Sequence, residues 1–256
     1  MSKESFKQFV KRQEEKLDKA EKMVEGVKEG WKDKIEELIE KSVKELKKLW
    51  EENEKEMRRQ RREYETFFFS YSLPLPETSP SFLERVFNKF LKEFDWKKFE
   101  GRRFLNTDLG LFLSAFLKKN VENYVLSQER KGVKEENIKP IEVHLNVKEL
   151  PVLLNCLGYQ NPKKLHLIIE GDCGSWTGDK MQGGKIIIEG SCEYRTGVYM
   201  QGGELNIKGE VNFFDITAFS PPNKGTIIWK NTKIWENGDW TKEGKEMWEK
   251  GEIPVR

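Results

Sequence analysis

Histidine and cysteine are scarce, with two and three copies in 256 residues. An odd number of cysteines in a chain of this length does not form the disulfide framework of a secreted domain. Cys156 has no partner at a metal-ligand spacing, and neither histidine adjoins a cysteine, serine or carboxylate cluster. We therefore expect no metal site, no cofactor and no catalytic residues, so this chain is not expected to be an enzyme.

Long apolar runs are also missing. The uncharged runs at 109–117 and 151–162 are far shorter than the ~20 residues of a membrane-spanning helix, and the N-terminal segment holds no apolar core of signal-peptide length. The 46 basic and 44 acidic residues nearly cancel, so no overall field attracts nucleic acid or anionic lipid. We expect a soluble, cytoplasmic protein without membrane contact. Its many Lys and Glu residues would also suit a thermophile.

The segment 1–66 is highly charged, and its sparse apolar residues follow a helical spacing. The spacing is that of a heptad seam, with separations of 7, 3, 4, 3 and 4 residues between Val10, Leu17, Ala20, Val24, Val27 and Trp31. Two steps of four then lead to Ile35 and Ile39 before the rhythm resumes at Leu46 and Leu49, which is a stutter. We predict a charged helical arm over 1–66, as one coiled-coil helix or as a hairpin of two helices.

The arm has two candidate binding roles. A narrow seam flanked by charge buries too little surface to hold a helix alone, so we expect it to pair with another copy of the chain or with a partner protein. The run Met57–Arg62 (MRRQRR) is the concentrated basic patch, and nucleic-acid binding there is an alternative. Acidic residues crowd the preceding turns, so a solvated helix face is the favoured interpretation.

The rest of the chain divides by composition. Prolines at 74, 76 and 80 predict a linker over 67–80. Apolar faces at helical spacing, including that of LGLFLSAFL, predict a helical block over 81–132. Apolar and polar residues alternate in IEVHLNV, which predicts a strand. This strand is taken as the first of a β-helix over 138–240. Residues 241–256 are assigned to a tail.

The stretch from Gly171 to Gly209 repeats itself with a shift of 19 residues, and nine of the nineteen positions are identical. A fixed period near twenty indicates a solenoid, in which each coil stacks on the last. The positions that we interpret as structural are Gly171, Gly178, Met181, Gly183, Gly184 and Gly190 in one coil and Gly197, Met200, Gly202, Gly203 and Gly209 in the next. We interpret the glycine pair before each full strand as a corner of the coil.

Strand residues of successive coils agree about which side faces inward. Two apolar columns are expected inside: Leu167, Ile186, Leu205 and Ile227, and Ile169, Ile188, Ile207 and Trp229. The column between them holds Ile168, Ile187, Asn206 and Ile228, and its Asn marks it as outward facing. The apolar columns therefore predict continuous ladders inside a short right-handed parallel β-helix.

The two ends of the β-helix need covers, because an open end exposes apolar interior and unpaired strand edges. At the N-terminal end, an irregular first coil in LLNCLGYQNP is expected beneath the LGLFLSA helix. At the C-terminal end, Phe214 and the prolines of the degenerate third coil indicate a cap. Two strands meeting near Asn231 are expected there, and the covering aromatic residues are Trp229, Trp235 and Trp240, with Trp248 as a further candidate.

The residues that suggest chemistry have structural interpretations. Cys173 and Cys192 share a column whose next member is Val211, which favours a small buried apolar position over a redox or metal pair. The glycine-rich stretch lacks both G-x-G-x-x-G and a Walker loop. His144 and His166 fall on polar, outward positions and are expected to be exposed.

An aromatic surface is a weaker candidate. Trp176, Tyr194 and Tyr199 could form one, but Trp176 aligns with Arg195 in the next coil. No continuous aromatic platform is therefore expected.

The motif G-x-x-M-x-G-G-x-I-x-I-x-G begins at Gly178 and recurs in register from Gly197, with Leu205 at its first Ile position. It resembles the glycine-rich (GXGXG) β-helix domain. That domain lies at the C-terminal end of the glutamate synthase large subunit and in one of the subunits of formylmethanofuran dehydrogenase. The resemblance covers at most about a third of the chain and implies an architectural role without catalytic residues. The helix, strand and β-helix together also look like small stand-alone archaeal proteins of unknown function.

These observations favour an α+β protein with a helical arm, a helical block and a capped β-helix. The expected function is that of a non-catalytic structural or assembly module, with an arm that oligomerises or docks on a partner. One alternative, implied by the resemblance, is an accessory subunit of a multi-subunit oxidoreductase whose catalytic centre lies in another chain. The other is nucleic-acid binding through Met57–Arg62.

The inward columns can be tested by Ile188→Asp. A carboxylate placed in an apolar ladder has no partner, so we expect the free energy of unfolding to fall by roughly 3 kcal/mol or more. Thermal melting followed by the far-ultraviolet β signal measures this loss. An unaltered melting temperature would show that the column faces outward.

Overall fold

The computed structural model describes residues 34–52, 80–99 and 105–256 of an α+β protein. Three helices come first: α1 (residues 34–52), α2 (Pro80–Lys92) and α3 (Leu105–Arg130). A seven-stranded sheet follows, and α4 (Lys242–Glu249) lies near the C-terminus. The seam upstream of residue 34, the basic run Met57–Arg62 and the predicted linker up to residue 79 lie outside the described residues. Among the helices that are described, none is long and apolar enough to cross a bilayer.

The helix α1 is packed against the other helices of the same chain. Its buried apolar residues are Ile39, Val43, Leu46 and Trp50, at steps of four, three and four. The ring of Trp50 meets Phe94 at 5.8 Å and Phe112 at 5.4 Å, edge to face. Of the predicted seam, Ile39 and Leu46 are thus buried within the chain and Leu49 is partly buried, while Ile35 is 36% exposed. Within residues 34–52, most of the seam packs on this chain's own helices.

Ion pairs fix the direction of α1 against α2. Glu36 pairs with Arg85, Glu40 with Lys89 at 3.2 Å, and Lys47 with Glu93 at 2.7 Å. The residue numbers rise together in both helices, so α1 and α2 run parallel. Because these side chains are largely exposed, the pairs set orientation more than stability.

Five parallel strands stack in chain order and form a β-solenoid of about four turns: β1 (Ile141–Asn146), β2 (Leu165–Glu170), β3 (Lys185–Ile188), β4 (Glu204–Ile207) and β5 (Thr226–Trp229). The register confirms the predicted columns, since Ile186 lies between Leu167 and Leu205, and Ile227 follows. Both inward columns are buried, and β1 extends them with Val143 and Leu145.

The free edge of β1 is covered by two side chains of α2. Asn88 acts like a peptide group of a further strand: its Nδ2 donates to the carbonyl of His144 (2.9 Å), and its Oδ1 accepts from the N–H of Asn146 (2.8 Å). A carboxylate oxygen of Glu84 accepts from the N–H of His144 at 3.2 Å. The helix thus satisfies an edge that would otherwise be open to another strand.

The helix α3 closes the N-terminal end of the solenoid through close backbone contact. A Cβ added at Gly110 would lie 1.7 Å from the carbonyl oxygen of Asn155. The Ser114 hydroxyl lies 2.9 Å from the carbonyl oxygen of Cys156 and accepts from the N–H of Gly158 at 2.9 Å. Gly110 and Ser114 therefore hold the helix directly on the first coil.

Aromatic rings close the C-terminal end. Successive ring contacts join Phe214 to Trp229 at 6.0 Å, Phe219 to Trp240 at 4.4 Å and Trp240 to Trp248 at 5.2 Å. The predicted pair of strands is the antiparallel hairpin of β5 and β6 (Thr232–Glu236), followed by β7 (Asp239–Trp240). The expected cap is thus built from rings supplied by several elements.

The C-terminal segment 241–256 is part of the fold, so its assignment as a tail is corrected. Thr241 caps α4 by accepting from the N–H of Gly244 (3.0 Å), and a Cβ on that glycine would lie 2.1 Å from the carbonyl oxygen of Ile234. Ile253 is buried and Val255 forms a parallel bridge with Phe214. The chain end therefore adds a strand-like pairing to the last coil.

The two members of a corner glycine pair differ in what they require. Gly203 has φ +85°, and a Cβ there would lie 2.7 Å from the backbone of Gly183 in the coil above. Gly202 has no left-handed φ, and its Cβ would meet the Gln182 carbonyl oxygen at an ordinary 3.5 Å. The stacking of coils therefore needs glycine at the second position of this pair.

Alanine substitution at the two positions tests this difference. We expect Gly203→Ala to lower the free energy of unfolding by roughly 1–3 kcal/mol, because it adds both backbone strain and a clash with the preceding coil. Gly202→Ala is the matched control, with an expected change within about 0.5 kcal/mol. Chemical denaturation measures both, and equal losses would contradict the assignment of the corner.

Candidate functional site

Three successive coils turn through the same backbone conformation. Left-handed φ angles of +52° to +71° recur at alternate positions: Cys156, Gly158 and Gln160; Trp176, Gly178 and Lys180; and Arg195, Gly197 and Tyr199. The first set belongs to the predicted irregular coil and lies one position further from the second set than the repeat requires. The corner is therefore common to all three coils, although glycine occupies only its central position.

The thiols of these coils are buried and free. Cys173 forms parallel bridges with Cys192, and Cys192 with Val211, so the predicted column exists. Burial raises the pKa of the Cys156 thiol to about 12 and that of Cys173 well above its ordinary value. A thiol that stays protonated at neutral pH is a poor nucleophile and a poor metal ligand, which agrees with the structural interpretation.

His144 is half-buried rather than exposed, and it lies in an acidic cluster. Its Nδ1 is 3.2 Å from Glu170 and its Nε2 is 3.4 Å from Glu142. Desolvation opposes the charged form, but the hydrogen bonds to the two carboxylates outweigh it and raise the pKa of His144. His166 is also half-buried, on the strand below. No cluster of three or more His, Cys, Asp or Glu residues in the described segments could hold a metal ion.

Aromatic rings do form a continuous row along one corner, contrary to the expectation. Phe213, rather than Tyr199, is the third member: ring centroids of Trp176 and Tyr194 are 5.3 Å apart, and those of Tyr194 and Phe213 are 5.5 Å apart. The guanidinium groups of Arg195 and Arg256 lie 5.9 and 5.2 Å from the Trp176 and Phe213 centroids. Rings and guanidinium groups cover one another, so the row stabilises stacked coils and is not an open platform.

The missing member of this row was visible in the sequence. Phe213 follows Tyr194 at the period of the repeat. Trp176 aligns with Arg195, in the neighbouring column, and lies 18 residues before Tyr194. The period of the repeat therefore predicts the contact between Tyr194 and Phe213 but not the one between Trp176 and Tyr194.

A groove lies between α3 and the corners of the solenoid, with a volume of about 440 Å³. The fully buried residues of α3 end at Val121, and the helix continues to Arg130 with Tyr124 and Val125 partly buried against the core. The apolar lining consists of Val121, Val125, Leu126 and Pro162. Leu126 is 48% exposed, so this part of the apolar lining is open to solvent.

The acidic and basic residues of the groove lie on opposite sides of it. Glu122 on α3 and Glu135 just after it supply two carboxylates. Lys163 and Lys164, on the approach to β2, supply two ammonium groups, and the Lys164 ammonium donates to the carbonyl of Ile138 at 2.9 Å. An apolar floor with carboxylates on the helix side and cations on the solenoid side suits an amphipathic polypeptide segment.

No family model, curated protein or solved structure matches the chain. The resemblance to the GXGXG β-helix domain therefore rests on the repeat residues alone. The groove, by contrast, is defined by the geometry of this chain.

Asp179 is a half-buried residue whose carboxyl group holds its proton more tightly in this corner than in water. It follows Gly178 in the second coil, and its Oδ1 has no hydrogen-bond partner within the described structure. Burial raises the pKa of Asp179 to about 6, although Lys180 and Arg195 act in the opposite direction. The folded state therefore binds a proton that the unfolded state, with an ordinary carboxyl pKa, releases.

The sign of this linkage predicts a pH-dependent effect of Asp179→Asn. Because the pKa is raised in the folded state, the wild type loses stability as pH rises from about 4 to about 6, by up to about 3 kcal/mol. The amide does not titrate, so we expect the variant to gain on the wild type at pH 7 and much less at pH 4. Melting curves across this range measure the difference. Asp95→Asn, at an exposed position, is the control, and an equal effect of Asp179→Asn at both pH values would contradict the assignment.

Proposed function

We propose that the chain is a non-catalytic assembly module, in which a closed β-solenoid holds a helical layer that docks a partner protein. The observation that carries this proposal is the open groove beside the last turns of α3. It leaves Leu126 nearly half exposed, between carboxylates on the helix and ammonium groups on the solenoid.

The solenoid supports this role because it is filled and closed by the chain itself. Its inward columns are apolar, α3 covers the first coil, and the aromatic cap covers the last. The raised pKa of its buried thiols argues against nucleophilic chemistry at Cys156 and Cys173. Such a body offers a rigid surface rather than a reaction chamber.

The groove selects a partner by shape and charge. An occupant that presents an apolar side chain to Val125 and Leu126 replaces water over an exposed apolar surface. A basic residue on the helix side would face Glu122, and an acidic residue on the other side would face Lys163. Opposite charge on the two sides sets the direction of a bound segment, since the reversed segment would meet like charges.

The identity of the partner decides whether this assembly module is an accessory subunit of a multi-subunit oxidoreductase. The repeat's resemblance to the GXGXG β-helix supports an accessory subunit of a multi-subunit oxidoreductase. A flavin, iron–sulfur or molybdenum enzyme as the bound chain would favour that candidate. The heptad seam of the arm upstream of residue 34 is proposed as a further attachment to a partner or to another copy.

Leu126→Glu tests the groove in the full-length protein. The tagged wild type is purified from its native host, its stoichiometric partner is identified by mass, and the purified partner is then titrated onto each variant. We expect Leu126→Glu to weaken binding about tenfold or more, because a carboxylate enters the apolar floor beside Glu122. Leu153→Glu, at a leucine that is 39% exposed outside the groove, is the matched control and should bind like the wild type.

Equal affinity of both variants for the partner would overturn the groove as the docking site. Turnover of a substrate by the purified chain alone would overturn the non-catalytic role. Melting temperatures of both variants close to that of the wild type establish that the comparison concerns binding.

A further inference from the structure

The outer face of the parallel sheet carries a stripe of half-buried residues that no described element covers. Its members are the outward residues of four consecutive strands: Ile168, Ile187, Asn206 and Ile228. Three isoleucines in one outward column are more apolar than a solvated sheet face requires, since outward positions are normally polar. This stripe is the centre of a candidate interaction surface.

The column on one side of the stripe has an ordered charge pattern. From the first coil to the last it reads Glu170, Glu189, Lys208 and Lys230, two negative charges followed by two positive ones. Within the chain, Glu170 lies 3.2 Å from both His144 and Lys148. The ammonium of Lys208 lies 2.7 Å from Glu189, and that of Lys230 lies 2.6 Å from Glu210. The acidic half therefore lies toward α2 and the basic half toward the aromatic cap.

The column on the other side of the stripe reverses sign at the same place. It contains Lys185 on β3 and Glu204 on β4, which form an ion pair at 2.7 Å. His166 precedes them and Thr226 follows them. Both flanking columns thus change sign between β3 and β4.

A pattern that changes sign at its midpoint is complementary to its own reversed copy. A two-fold rotation about an axis parallel to the strands, between β3 and β4, reverses the order of the coils and keeps the position along each strand. Glu189 of one copy then faces Lys208 of the second copy, and Glu170 faces Lys230. By the same rotation Lys185 faces Glu204, so every charge of the two columns meets an opposite charge.

We propose that two copies of this chain associate face to face through the outer surface of β2–β5, as an isologous dimer with this two-fold axis. Packed sheets stand about 10 Å apart, which brings the two isoleucine stripes into contact. Ile168 of each copy meets Ile228 of the other. Asn206 meets Ile187, and a single polar position in an apolar seam fixes register at some cost in affinity.

The rows beyond these strands agree with the same rotation. It places β1 opposite β6 of the second copy. The outward side of β1 carries Glu142 next to His144, whereas β6 presents the exposed Lys233. The acidic residue Glu142 of one sheet therefore lies toward Lys233 of the other, which within its own strand is paired with Glu236 at 2.6 Å. This pairing goes beyond the groove on α3 and can fail independently of it.

Charge reversal and restoration in the full chain test the dimer. Mass is measured by light scattering and sedimentation over a micromolar concentration range, where we expect a reversible dimer. Lys208→Glu places like charges opposite each other at two symmetry-related positions, so its dissociation constant should rise about tenfold or more. The double variant Glu189→Lys, Lys208→Glu restores opposite charges and should return the dissociation constant to within about threefold of the wild type.

The apolar stripe is tested by Ile187→Glu, which is outward and compatible with the folded monomer. We expect about a hundredfold rise in the dissociation constant, because each dimer buries two such residues. Ile216→Glu is the control, since Ile216 is 48% exposed on the cap, away from this face. Melting temperatures show that each variant is folded.

Three outcomes would overturn the proposal. The first is a wild type that stays monomeric throughout this range. The second is a dimer that survives both Ile187→Glu and Lys208→Glu, as association through another surface would. The third is a double charge variant that folds like the wild type but does not regain the dimer. Partner binding in the groove is measured separately. Failure of the dimer therefore leaves the proposed docking in the groove standing, and failure of the docking leaves the dimer standing.

Discussion

The alignment of apolar side chains in successive coils is the constraint on which this structure depends. Ile186 has little to bury against within its own coil, and its surroundings come from Leu167 above and Leu205 below. One coil of this repeat therefore cannot be stable alone, and the stack must end in something other than another coil. The helical layer, the edge-covering side chains of α2 and the aromatic cap are all consequences of that requirement.

The repeated part of the fold was accessible from the sequence because two periods coincide there. Alternation within a strand assigns Ile188 inward and Ile187 outward, and the longer period of the coils requires each assignment to agree with the next coil. A single error would have moved a charged residue such as Lys185 into the core. This redundancy explains why the register was predictable to the residue.

The sequence did not reveal contacts that occur at a single place in the fold and are not repeated from coil to coil. Asn88 follows the helical pattern of α2, and nothing local indicates that its amide pairs with β1. The C-terminal segment is short and charged, yet a glycine that fits against Ile234 and a strand-like pairing at Val255 dock it. The groove forms between α3 and corners of the solenoid that are distant from it in sequence, so no local pattern indicates it. Leu126 therefore looked like an ordinary helix position.

The attachment of α3 gives the groove a mechanical property. The helix is held by backbone proximity at Gly110 and by the Ser114 hydroxyl, and beyond Val121 it continues for nine residues, about 13 Å. In this last part Tyr124 and Val125 still pack against the core, while Leu126 is exposed. A force on Leu126 therefore passes along the helix to its contacts with the backbone at Asn155 and Cys156, and from there into the stacked coils. A partner in the groove would thus hold the whole solenoid as one stiff body rather than a flexible appendage.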